Sequence, residues 1–111
     1  MNTEGLELKF TKLDRRHRGF EDFKYYVTVN DKPIHSYRPG KTNYIGFFVL
    51  RCLCSETWGL SCERELYLKL KNENNPAELN DHWVWHTDMN NSQYRIYLKG
   101  DEERAWILLK W

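Results

Sequence analysis

Apolar and polar positions alternate at period two over residues 6–13: Leu6, Leu8 and Phe10 share one face, and Glu7, Lys9 and Thr11 the other. That pattern predicts a half-buried strand. Residues 24–30 are dense in aromatic and β-branched side chains and predict a second strand. The turn chemistry of Asn30, Asp31 and Pro33 folds residues 34–37 back as a short or edge hairpin partner. Residues 64–71 alternate cleanly, predicting a strand with Leu66, Leu68 and Leu70 inward and Tyr67, Lys69 and Lys71 outward. Residues 82–86 and 94–99 are further strands, and residues 107–111 a closing one. Polar runs at 14–18, 38–41, 72–81 and 89–92 read as loops or turns.

Residues 43–58 carry a different period. Tyr44, Phe47, Phe48 and Arg51 follow one another at helical spacing, as do Ile45, Val49, Cys52 and Leu53, and Gly59 stands where a left-handed residue ends a helix. A helix is the preferred reading, with a strand around Phe48, Val49 and Leu50 as the alternative. Asp101 is a candidate N-cap for one helical turn over residues 102–106. The expected fold class is α+β: residues 1–111 as a single two-layer domain, with a largely antiparallel sheet of about six strands and one main helix, 43–58, on one face.

Composition sharpens this in one respect. Among 111 residues there are five Trp, seven Tyr and five Phe, so disorder is excluded as the main state. No apolar run approaches the ~20 residues that span a bilayer, and no membrane partner is expected. The opening residues lack a basic region followed by an apolar one, so no secretory signal is expected. Three cysteines, an odd number, point to a reducing, cytoplasmic setting with free thiols. The net charge of +1 hides an asymmetry: residues 1–55 hold ten Lys/Arg against six Asp/Glu, and residues 56–111 seven against ten.

One block carries a resemblance. Residues 94–111, running from Tyr94 through Gly100, Asp101, Glu102, Glu103 and Ala105 to Lys110 and Trp111, are similar to the C-terminal end of small bacteriophage-encoded α+β proteins. Those finish with an apolar strand, an acidic cap followed by Ala, and an apolar strand closed by a basic and an aromatic residue. The stretch with Glu56, Thr57, Trp58 and Gly59 resembles a helix ending that they also carry. The resemblance covers about a quarter of the chain. It implies a two-layer α+β fold and a phage origin, and no chemistry.

Candidate sites follow from residue type. Cys52, Cys54, Cys62, His82 and His86 are the residues from which a tetrahedral zinc site would be drawn. On a helix, Cys52 and Cys54 point to different sides; on a strand, His82 and His86 lie ~13 Å apart. No metal and no cofactor is therefore expected. Asp81 and Asp88 flank the two histidines, but no nucleophile motif, phosphate loop or dinucleotide fingerprint is present, and the expectation is a protein that is not an enzyme. Basic residues among aromatics, Arg15, Arg16, Arg18, Tyr26 and Lys69, form a candidate nucleic-acid surface, since rings stack on bases and cations follow phosphates.

The leading expectation comes from the aromatic surplus. Period-two reading leaves Tyr67, Tyr97 and the Trp83/Trp85 pair, with Arg95, on outward faces, and Trp, Tyr and Arg dominate protein–protein hot spots. The sequence thus predicts a non-enzymatic protein–protein interaction module, a phage accessory or anti-defence inhibitor that blocks a host protein. A nucleic-acid-binding protein and a toxin-neutralising immunity protein are the alternatives. The sequence does not specify the oligomeric state.

Overall fold

The computed structural model describes residues 6–29, 45–73, 79–91 and 93–111. The hairpin partner expected at 34–37, His35 and part of the 72–81 loop lie outside them. Four antiparallel strands, β1 (Leu8–Lys12), β2 (Tyr25–Val29), β3 (Trp83–Asp88) and β4 (Gln93–Leu98), form one sheet in the order β1-β2-β4-β3. The helices are α1 (Ile45–Trp58), α2 (Arg64–Asn72) and α3 (Asp101–Lys110). Register is continuous across the sheet: Phe10 pairs Val27, Val27 pairs Ile96, and Ile96 pairs Trp85.

The α+β class stands, but the expected six strands and one helix do not: among the described residues there are four strands and three helices. Two segments account for the difference. Residues 64–71 form a helix, not a strand. Their alternation coexists with an N-cap at Glu63, whose carboxylate accepts from the Glu65 N–H at 2.7 Å, with Glu65 in the first turn and with Lys69 and Lys71 in the last. Arg, Glu, Leu and Lys are strong helix formers, and none is β-branched. The inward side changes at one pair: Tyr67, 4% exposed, turns in and Leu66, 47% exposed, turns out, while Leu68 packs against the same core and Lys69 and Lys71 stay exposed.

The second segment is the C-terminus. The expected single turn at 102–106 and closing strand at 107–111 are one continuous helix, α3. Its Trp111 N–H still bonds Ile107 O at 2.8 Å. Three acids open it and Lys110 closes it, matching the helix dipole. Asp101 is not the cap; Gly100 holds that position without a side-chain bond. The remaining elements agree with the pattern: β1, β2, β3 and β4 fall within a residue or two of the expected strands. Helix α1 ends at Gly59, whose φ of 91° suits glycine and whose N–H bonds Ser55 O at 2.9 Å.

Helices cover both faces of the sheet, so the expected helix on one face of a two-layer domain is corrected too. On the first face, Phe47, Leu50 and Cys54 of α1 and Ile107 of α3 pack on Val27, Trp83, Ile96 and Leu98. Helix α1 lies towards β3 and β4: Arg51 sits 4.3 Å over the Trp85 ring, and Phe47 meets Tyr94 edge-on. Helix α3 lies over β1 and β2. Arg104 covers the Phe10 and Tyr25 rings, and Trp111 Nε1 donates to Leu6 O. The end of α1 is tied to the middle of α3 by Trp106 Nε1 donating to Thr57 Oγ1, and to its first turn through His82, whose ring stacks on Trp58 and whose Nδ1 faces Glu103. On the second face, Tyr67 of α2 packs with Leu13, Phe23, Val84 and Tyr97.

Candidate functional site

The surface expected from the aromatic surplus is interior. Trp83 is 1% exposed, and its Nε1 donates to Gly59 O at 3.0 Å. Tyr97 is 1% exposed and its hydroxyl accepts from Arg64 Nη1 at 2.7 Å. Tyr67 is buried, with its hydroxyl on Asp81. Burial, followed by the neighbouring Asp81 charge, pushes the Tyr67 phenol up. Trp85 lies half-buried beneath Arg51. Arg95 rests 4.2 Å over the Tyr26 ring. For the strand residues the reason is common: helices pack on both faces of the sheet, so positions that alternation assigned to solvent are covered wholly or in part. Tyr67 is inside because its segment is a helix that packs this residue on the second core.

The candidate nucleic-acid residues are scattered and mostly paired. Arg16 binds Asp14 with two of its nitrogens, and Arg18 Nε reaches Glu65 at 2.6 Å. Tyr26 is capped by Arg95 and meets His17 and Tyr97 ring to ring. Arg15 and Lys69 are exposed, with no ion pair among the described residues. Arg15, Arg16 and Arg18 do line a shallow cleft of about 330 Å³, but Glu21 and Asp22 line it too. A second cleft of about 430 Å³ between Tyr67, Lys71, Asp81 and Lys99 is equally mixed in sign.

Each described histidine faces a carboxylate. His17 Nδ1 lies 3.0 Å from Asp14, and His82 Nδ1 lies 3.5 Å from Glu103 while its ring stacks on Trp58. His86 Nδ1 lies 2.5 Å from Glu63 Oε1. The last pair is the closest to a catalytic arrangement, but its surroundings do not complete one. Ser61 Oγ donates to Trp83 O, and burial holds the Cys62 thiol above its ordinary range. Glu63 instead has two structural roles, as cap of α2 and as anchor of His86 on β3. Cys54 is buried under α1 and pushed up to about 12 by desolvation, whereas Cys52, two residues earlier, is exposed. Among the described residues no three His, Cys, Asp or Glu side chains gather as metal ligands, and no helix is long and apolar enough to cross a membrane.

What the sequence reading missed is the outer face of α3. Only Glu103 and Ile107 of this helix are buried. Helical spacing places Ala105 and Leu109 on the outward side, with Trp106 on the flank towards α1 and Leu108 on the flank towards β1. Leu109 is 76% exposed, Leu108 54% and Trp106 39%, and Ala105 is open as well. A strand reading had hidden half of these residues in a sheet. The available signal was the run of acids before Ala105 and the basic residue at 110, which suit a helix from end to end. Comparison with known proteins finds no matching family model, no similar curated protein and no similar solved structure.

The start of α3 is pinned electrostatically. Asp101 accepts from Lys24 Nζ and from the Tyr25 hydroxyl, both at 2.7 Å, and these bonds hold its carboxyl below the ordinary 3.8. A carboxylate lowered in the folded state stabilises it fully above the ordinary pKa and loses that stabilisation as pH falls through the folded value. Thermal melts from neutral pH downwards should hold steady to about pH 4 and then drop. Asp101→Asn should be less stable at neutral pH and show a shallower acid limb; an unchanged limb would refute this role.

Proposed function

We propose that the chain is a non-enzymatic docking module that binds a protein partner through the outer face of α3. The observation that carries this reading is the exposure of Trp106, Leu108 and Leu109 together on one helix. Scattered exposed apolar residues are ordinary on a small domain, but clustered ones rimmed by charge mark interaction sites. Asp101 and Glu102 at one end and Lys110 at the other form that rim. Trp is an interface anchor because it removes a large area from water at small entropic cost. A phage accessory or anti-defence inhibitor that blocks a host protein would use such a face. An immunity protein that covers a toxin would use the same mode of binding.

The test compares capture by wild type and by Leu109→Glu. Leu109 makes so little interior contact that the variant should melt within about 0.5 kcal/mol of wild type. A partner held by wild type at micromolar concentration should be lost. Absence of any captured protein, or equal capture by both forms, would sink the proposal.

A further inference from the structure

Resting on that reading of α3, we infer that the face also takes a second copy of this chain, in an antiparallel pairing of α3 with α3 across a two-fold axis. The charge pattern of the helix is self-complementary. Its exposed acid, Glu102, lies near the first turn, its exposed base, Lys110, is the last residue, and Ala105 and Leu109 occupy the outward line between them. An isologous contact places each patch against its own copy, so a helix with opposite charges at its two ends satisfies both of them at once.

The geometry closes. With the axis level with residue 107, Leu109 of each copy sits over Ala105 of the other, where the small side chain lets the helices approach. At 1.5 Å per residue, Glu102 then lies ~7.5 Å from the axis on one side, and the other copy's Lys110 ~4.5 Å from it on the same side. The axial offset is then ~3 Å, and the two long side chains have to bridge this together with the ~8–10 Å between packed helix axes. Lys110 Nζ, 4.8 Å over the Trp106 ring, is already held on the flank from which it would reach. Asp101 is engaged by Lys24 and Tyr25 and Arg104 by the Phe10 and Tyr25 rings, so Glu102 and Lys110 are left as the pair that sets direction. One helix face falls short of the ~800 Å² per partner of a standard interface, so the dimer exchanges readily with monomer.

Sedimentation equilibrium of the full chain from about 10 μM to about 1 mM covers the affinities of small interfaces. Wild type should shift from monomer to dimer across that range. Glu102→Lys and Lys110→Glu should each weaken association about tenfold, because each turns both symmetry-related pairs into like-charge contacts. The double reversal should restore it. A wild type that stays monomeric at 1 mM, or a double reversal as weak as the singles, would overturn the inference. The two ideas fail separately. A monomeric wild type that still captures a protein in a Leu109-dependent way overturns the dimer alone; a dimer with no captured partner overturns the reading of a heterologous target.

Discussion

Trp83→Ala is expected to lower the unfolding free energy by about 3–5 kcal/mol, the range for deleting a large buried aromatic. Trp83 lies in the first-face core with Leu50, Cys54, Ile96 and Leu98, and its indole N–H bonds Gly59 O just past α1. Truncation opens a cavity at the level where α1 turns towards α2 and leaves the Gly59 carbonyl without that donor. Against a total stability of about 5–15 kcal/mol, much of the margin would go. Urea titration followed by tryptophan fluorescence and far-ultraviolet circular dichroism measures it. A loss below about 0.5 kcal/mol is what an exposed hot-spot residue would give, and it would refute the interior placement.

Glu63→Ala should follow at about 2 kcal/mol, combining a lost N-cap with a lost half-buried hydrogen bond to His86. One carboxylate oxygen accepts from the Glu65 N–H at the start of α2, and the other meets His86 on β3. The same segment lines the edge of the sheet: Trp85 N–H donates to Cys62 O, and Glu63 bridges to Trp85. Releasing Glu63 therefore loosens both the helix and the strand edge that it covers. Glu63→Gln keeps an acceptor for the cap and should lose about half as much. His86→Ala removes only the pair, and a double-mutant cycle between positions 63 and 86 separates the cap from the pair. Equal losses for Ala and Gln at position 63 would show that the cap contributes nothing.

These two residues show which interactions were legible in the chain. Trp83 was identified as a strand residue, and its sharing of a face with Trp85 was correct. Whether that face was wet or dry was not. Alternation reports that two sides differ, and here both sides are covered, so apolar Trp83 and polar-edged Tyr97 are buried on opposite faces. Glu63 carried no sequence signal as an anchor, because its partner His86 is 23 residues away and the two meet only through the parallel bridge at Trp85. The docking face was hidden for a related reason. Residues 107–111 are apolar enough for a strand, and only continuity with the acidic turn before them makes a helix, turning Leu108 and Leu109 outward.

By itself the sequence determined what local chemistry can specify. This covers the α+β class, the positions of the four strands and the alternation of their two sides, and a helix over 45–58 ended by Gly59. Each rests on a period or a backbone preference that acts within a few residues. Only the tertiary structure decided the state of 64–72 and 101–110, because short apolar runs satisfy both periods and the deciding contacts are non-local. It alone decided how the aromatic rings divide between two cores. It also located the apolar surface that remains, since solvent exposure depends on which elements pack together, and helix–sheet packing here leaves the outer side of α3 uncovered.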